Sequence, residues 1–538
     1  MIPMQTFLRR ALLPLACVSA AIACTDLTVP PKSAISSATI FNDESSYRAY
    51  MARLYAGLAV TGQQGPAGND NTADIRGIDE GFSHYLRLLW QMNELPTDEA
   101  AIAWDDAGVQ PLNTQLWPSN NPFLTAMYYR IYFQVGLAND FLRETDDARL
   151  AERNVSAATR AQIRSFRAEA RFLRALSYWH GIDLFGDIPL VRETDALGTT
   201  PPPQSTRQAI FDYIVAELNA AVADLPAVNA GEVGRADQGA ARMLLAKVLM
   251  QAQAYGLQPR WNEAAAALAP VLAGSYTLET NYRRNFSGDN DQSNELIFQV
   301  VQDAERTQSF GGTTFLMNAS VGGFRADSLQ GVQGQLEGWW GLRLKPQMIA
   351  LFPAIGPSSP DVRSSFWFAR EPDQTTAMSQ LTNFSNGTIN LKYRNRPSAG
   401  GGQATRFSNI DYPMFRLADA YLMYAELALR GATGTTRAQA LTYVNALRQR
   451  AYGNMNGNIT DAQLTLPFIL DERARELHWE GHRRVDLIRF GQFTGGDRLW
   501  AWKGNVVGGR ATETFRNLYP KPASELVANP NLTQNTGY

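Results

Sequence analysis

The segment His478-Trp479-Glu480-Gly481-His482 comes nearest to a catalytic motif in this sequence. Histidines at i and i+4 share one helix face, as in zinc peptidases. Those enzymes place the glutamate directly after the first histidine, where it faces the metal-bound water. Here the glutamate stands one place later, about 100° further round a helix. The spacing instead predicts a charged helix, with Asp471 paired to Arg475 and Glu480 to Arg483 or Arg484. No metal and no cofactor are expected, and the isolated His84 and His180 read as packed or surface residues. Asp98, Glu99, Asp105 and Asp106 are clustered enough to raise glycoside cleavage, which needs two carboxylates flanking the scissile bond. Their separation is not set by sequence. The run from Asp289 to Ser293 has the look of a calcium loop but lacks the loop's turn glycine (Asn294) and closing glutamate (Val300), so a plain turn is expected. No nucleophile elbow, phosphate loop or dinucleotide fingerprint is present.

Aromatic residues offer a better reading. Sugars present apolar C–H faces and rings of hydroxyls, which flat aromatic side chains with a few polar neighbours can hold. Two loop-like clusters qualify. One runs from Asp98 and Glu99 through Trp104, Asp105 and Asp106 to Trp117, before a helix near Thr125. The other is Gly338-Trp339-Trp340-Gly341 with Arg343 nearby. Trp104 is expected to face a ligand, because carboxylates flank it and apolar neighbours are few. Of the adjacent Trp339 and Trp340, at most one is expected to point into a site. Trp179 and Trp479 sit in helical patterns and are assigned to the core.

Helices must position these residues. Phe172, Leu176 and Trp179 keep i, i+4, i+7 spacing within 162–180, which ends at Gly186-Asp187-Ile188-Pro189. The same periodicity continues over 205–225 and 239–255. It returns from Arg416 through Leu417, Ala420, Tyr421, Tyr424, Ala425 and Ala428, and again through Leu441, Val444 and Leu447. A capping box at Thr460 and Gln463 is expected to open the next helix. Paired helices of this length suggest tetratricopeptide-like hairpins, although a strict repeat is not evident. The intervening 280–415 is rich in Gly, Ser, Asn and Thr, with a strand expected over Leu296–Val301.

The compartment is set by the first residues. Arg9 and Arg10 precede a 13-residue, mostly apolar stretch, Ala11 to Ala23, that is too short to span a membrane and reads as an export signal. Small residues lead directly into Cys24, the arrangement of a lipobox, with Ala21 where leucine is usual. Cys24 is therefore the expected acylation site. The only other cysteine, Cys17, lies in the export segment, which excludes disulfides, thiolate metal sites and a cysteine nucleophile from the mature domain. A net charge of −2 gives no basic surface for nucleic acid. Membrane attachment is expected through the lipid anchor alone.

Several long blocks, in order, carry a family resemblance. Ala168-Glu169-Ala170-Arg171-Phe172-Leu173-Arg174-Ala175 leads into Leu184-Phe185-Gly186-Asp187-Ile188-Pro189-Leu190. Trp261 to Leu278 and Asn294-Glu295-Leu296-Ile297-Phe298 follow. The strongest are Arg416 to Glu426, Asn445 to Ala451, Asp471 to Arg483, and the closing Asn529 to Tyr538. Together they resemble the SusD/RagB family of nutrient-binding lipoproteins. Arg484, Val485 and Lys521 depart from its usual residues at packing or surface positions. The resemblance implies a mainly α fold of tetratricopeptide-like helical hairpins packed against a loop-rich ligand-binding lobe. It implies a hinged lid on a SusC-like TonB-dependent outer-membrane transporter, with an oligosaccharide, less often a peptide, as ligand. An exported glycosidase is the competing class. The expected organisation is a signal over 1–23, a tether over 24–37, an N-terminal helical region with the ligand loop over 38–280, and a C-terminal region over 281–538.

Overall fold

Short polar side chains start the long helices of this fold. Asn121 accepts from Phe123 N at 3.0 Å, Ser156 from Thr159 N at 3.1 Å, and Asp237 from Ala240 N at 2.9 Å. Thr206, Thr436 and Thr465 do the same for Ala209, Gln439 and Phe468. Each cap satisfies an N–H that the first helical turn leaves without a partner. The computed structural model describes residues 41, 44–62, 66, 73–196, 198, 200–322, 333–368 and 375–538. Cys24, the export signal and the tether lie outside them. Contacts divide the chain after Tyr47, and the body from Arg48 to Tyr538 is described by itself. No helix among the described residues is long and apolar enough to cross a membrane.

Among the described residues, the helices of seven or more residues are α1 (Glu44–Ala59), α2 (Tyr85–Glu94), α3 (Pro122–Glu144), α4 (Ala157–Phe185), α5 (Arg207–Val222), α6 (Gln238–Met250) and α7 (Trp261–Leu272). They continue with α8 (Gly312–Asn318), α9 (Leu417–Leu429), α10 (Arg437–Tyr452), α11 (Leu466–Leu477) and α12 (Arg483–Arg489). From α3 to α7 each packs on the next; α7 then packs on α9, and α9 on α10 and α11. The expected mainly helical, hairpin-stacked architecture is present. On α4, Phe172, Leu173, Leu176 and Trp179 are all buried, and Gly186, at φ 72°, ends the helix as the turn residues required. Leu422, Val444, Leu447, Ile469 and Leu477 form one apolar cluster that joins α9, α10 and α11.

The loop-rich lobe is an insertion between α7 and α9. Its base is clasped by strand β2 (Leu296–Val300), which pairs antiparallel with β4 (Tyr412–Arg416), the strand that runs straight into α9. Two further strands, β1 (Ala100–Ile102) and β3 (Leu342–Leu344), join the N-terminal loop to the lobe.

Three local expectations need correction. The Thr460–Gln463 box closes on a single 3₁₀ turn, Asp461–Gln463, and α11 starts later, capped by Thr465. Helix α11 ends at Leu477, and Trp479 adopts φ 63°, so His478 and His482 do not share a helix face. His478 is fully buried against Phe366 and Trp367. The ion pairs also differ. Arg475 bonds Glu472 at 2.7 Å, Asp471 meets Arg498 at 3.1 Å, and Glu480 bonds Arg416 at 2.6 Å and Lys392 at 2.7 Å.

Those pairs belong to a buried ionic lattice. Arg416 reaches Glu295 and Glu476, each at 2.8 Å, as well as Glu480. Arg363 bonds Asp361, Glu472 and Glu476. A second part joins Asp419, Lys247, Arg473, Asp486, Arg489 and Glu426. Burial raises carboxyl pKa values, but here the facing arginines win and draw Glu476 down to about 2.

Candidate functional site

The antiparallel register of β1 and β3 builds the site. Ile102 lies opposite Leu342, and the pairing runs on as Ala103 N donates to Gly341 O at 2.8 Å. The next residues out are Trp104 on one strand end and Trp340 on the other. The backbone of 339–342 is pinned to the C-terminal end of α8. Trp339 N donates to Asn318 O, Trp340 N to Val321 O and Gly341 N to Ala319 O, each at 2.9 Å. The two tryptophan clusters, far apart in sequence, therefore meet.

Trp104 is half-buried, and its indole N–H donates to Trp339 O at 2.8 Å. Its ring lies 6.4 Å from the Trp339 ring and edge-on to Phe315 at 5.8 Å. Trp339 is half-buried, donates to Glu337 at 3.1 Å and stands 6.1 Å from Phe310. Trp340 is 40% exposed and held at φ 48°, a conformation uncommon for a bulky residue. Glycines give the rings room: a Cβ at Gly341 would fall 2.8 Å from the Trp104 ring, and one at Gly322 would fall 2.4 Å from Trp340 Nε1.

Asp105 and Asp106 are exposed beside Trp104. Asp98 and Glu99 are not: both are buried, Asp98 between Arg483 and Arg498, and Glu99 accepting from Trp479 N at 3.1 Å. The four carboxylates thus split into an exposed pair and a structural pair. Trp117 is also placed elsewhere. It is 2% exposed, lies on Tyr519 at 4.4 Å and donates to Tyr538 Oη at 2.6 Å, so it offers a ligand no face. Arg343 is fully buried, and its Nη1 and Nη2 donate to the carbonyls of Leu381, Asn383 and Asn386, which makes it a brace for the 378–386 loop.

Arg87 escaped the sequence reading. It stands on α2, in the apolar run Tyr85-Leu86-Arg87-Leu88-Leu89-Trp90, where a lone cation is the signal that could have marked it. Its guanidinium lies 5.3 Å from the Trp104 ring and 4.2 Å from Phe82. Nη1 makes one long bond, 3.4 Å, to Phe310 O, while Nε and Nη2 have no partner although the residue is 3% exposed. Burial draws its pKa down to about 9, against the pull of Asp79, Asp106 and Glu80. Buried donors left over in this way are costly unless something else accepts from them. On the opposite side Arg406 bonds Glu337 at 2.8 Å and lies 5.1 Å from Phe310. No cluster of metal-ligating side chains occurs among the described residues. The arrangement can stack flat apolar faces and donate hydrogen bonds.

A helical-hairpin body with a loop platform between its strand ends is the architecture of a binding protein built on a repeat scaffold. Comparisons with known proteins give the family. Residues 366–538 match the SusD family. The starch-binding protein SusD of Bacteroides thetaiotaomicron is 31% identical over 536 residues, covering 90% of this chain and 91% of the relative. SusD-like protein P25 of Formosa agariphila is 27% identical, over 94% of this chain and 95% of its own. Among solved structures, surface glycan-binding protein A from Bacteroides fluxus superposes with a TM-score of 0.70 at 21% identity, covering 92% of this chain and all of that one. The corresponding protein from Bacteroides thetaiotaomicron, solved in complex with laminarihexaose, has a TM-score of 0.67 at 19% identity. The chain belongs to the SusD family.

Proposed function

We propose that this protein is a non-enzymatic binding subunit that captures oligosaccharides on the platform of Trp104, Trp339 and Trp340, with Arg87, Asp105 and Asp106 at its edge. It is anchored through acylated Cys24 at the outer membrane and passes its ligand to a SusC-like TonB-dependent transporter. The observation that carries the reading is the pairing of the aromatic surface of Trp104 and Trp339 with the two unpartnered donors of Arg87. Sugars supply what both lack: C–H faces for the rings and hydroxyl oxygens for the guanidinium. A starch-binding relative and a structural neighbour solved with laminarihexaose support neutral glucans as the class to test.

Calorimetric titration with malto- and laminari-oligosaccharides tests this. Trp104→Ala is expected to weaken binding at least about thirtyfold, near 2 kcal/mol, while the melting temperature stays close to wild type. Unchanged affinity with a lowered melting temperature would assign Trp104 to the core and leave the platform without a role. Binding of peptides in place of glycans would move the ligand class.

A further inference from the structure

A second cleft adjoins the Trp104 loop through Gln110. Its volume is about 550 Å³, within the range of small-molecule sites. Its lining includes Trp502, the segment from Ser379 to Thr382, Gln110 and Asn505. Among the described residues, no charged side chain lines it. Trp502 is half-buried against Met378, Leu381 and Ala501 and donates to Met378 O at 2.9 Å. It is held at φ 70° in a turn closed by Trp502 N to Val506 O at 3.0 Å and Asn505 N to Trp502 O at 3.0 Å. A tryptophan kept in the left-handed region marks a place where the rest of the fold dictates how the ring is presented. Among the described residues the side chains of Thr382 and Asn505, both exposed, have no hydrogen-bond partner.

The cleft is tied to the platform by two elements. Gln110 lines the cleft and also donates to the carbonyl of Trp104. The loop that supplies Ser379 to Thr382 continues to Phe384, whose ring edge, like Trp340 Nε1, closes on Gly322. Arg343, three residues after Trp340, holds that loop by the carbonyls of Leu381, Asn383 and Asn386.

We propose that this cleft is a second glycan subsite, holding the neutral, hydroxyl-rich continuation of a polysaccharide whose first sugars lie on the platform. The inference deepens the glycan-binding reading given above and rests on it. An aromatic ring stacks on a sugar face, while uncharged amides and hydroxyls exchange hydrogen bonds with its hydroxyls. The uncharged lining among the described residues favours neutral sugars over uronates or sulfated ones, because those residues offer an anionic group no cation to pair it.

The experiment compares trisaccharides (maltotriose, laminaritriose) with the matching polysaccharides (soluble starch, laminarin) on three variants of the full chain. Thr382→Arg fills the cleft from an exposed position and leaves the fold untouched. Trp502→Asn removes the ring with a residue that tolerates the left-handed backbone. Both are expected to leave trisaccharide affinity unchanged and to weaken polysaccharide binding by about tenfold or more. Trp104→Ala is the control for the platform, because it should lower trisaccharide affinity as well. If Thr382→Arg and Trp502→Asn bind polysaccharide as wild type does, or lose trisaccharide and polysaccharide equally, the subsite is overturned. If Trp104→Ala leaves trisaccharide binding intact while Thr382→Arg still weakens polysaccharide, the platform reading fails and the cleft stands. A wild-type protein that binds no neutral polysaccharide overturns both.

Discussion

Arginine does opposite work in two regions of this molecule. In the C-terminal block, Arg416 is 1% exposed and gives every donor to a fixed acceptor: Glu295, Glu476 with its backbone carbonyl, and Glu480. At the platform, Arg87 is almost as deeply buried, yet two of its nitrogens have no acceptor. A satisfied buried network fixes one arrangement of the chain, whereas an unsatisfied one waits for a partner. The contrast separates the part of the family pattern that builds the body from the platform proposed to meet a ligand. The long C-terminal motif, Asp471 to Arg483, belongs to the first.

The largest effect expected from breaking this contrast is at Arg416. Removing it leaves Glu295, Glu476 and Glu480 facing one another without water or their main counter-charge. Breaking a buried pair by deleting one partner costs about 3–5 kcal/mol, a large part of the 5–15 kcal/mol that holds a typical domain together. Arg416→Ala is therefore expected to lower the urea midpoint steeply or to abolish soluble expression. A loss below about 1 kcal/mol would show that Arg450, which bonds Glu295 and Glu476, and Lys392 carry the lattice without it. Trp104→Ala is the counterpart, with binding lost and stability kept.

Sequence periodicity located the helical stack because each apolar stripe and each cap is local. Side chains whose partners are remote were not legible. Glu480 lies one turn from Arg483, the obvious partner, but bonds Arg416, 64 residues away. Trp117 looked like a loop tryptophan because its cover, Tyr519 and Tyr538, comes from the far end of the chain. Arg343 read as a ligand contact for the same reason, since the loop it braces begins some forty residues later. The sequence marked Trp104 and one of the adjacent Trp339 and Trp340 as candidates, but that the two clusters meet depends on the β1–β3 register, which three residues on each strand could not announce.

A middling effect is expected from pH. Burial pushes the Glu99 carboxyl up to about 7, and Glu94 beside it well above the ordinary range. A carboxyl with a raised folded pKa contributes stability that is present below its unfolded value, about 4.5, and is lost as pH rises through about 7. Asp98, one residue away, has the opposite sign: Arg483 and Arg498 hold it far below the usual range, and its contribution vanishes only in strong acid. Glu99→Gln cannot ionise, still accepts from Trp479 N, and can donate to the unpartnered Glu94 Oε2. Its denaturation curves are expected to fall less between pH about 4.5 and 7 than those of wild type, the remaining decline coming from the Glu94 carboxyl, which burial also raises. Parallel pH profiles for the two proteins would refute the assignment.

The smallest effect is expected at the platform's own carboxylates. Asp106 is exposed, and it helps to keep Arg87 charged from the rim of the site. Water and salt screen a charge in that position, so its worth is under about 1 kcal/mol, although the same functional group inside the lattice is worth several. Asp106→Asn keeps an oxygen that can accept from a sugar hydroxyl and removes only the charge. Affinity for neutral oligosaccharides is expected to change by less than about fivefold, with the difference shrinking further as salt rises from about 0.01 M to 1 M. If Asp106→Asn instead costs as much as Trp104→Ala at all salt concentrations, the carboxylate is desolvated in the complex. The rim would then have to close over the ligand, and the exposed pair would join the buried lattice in kind.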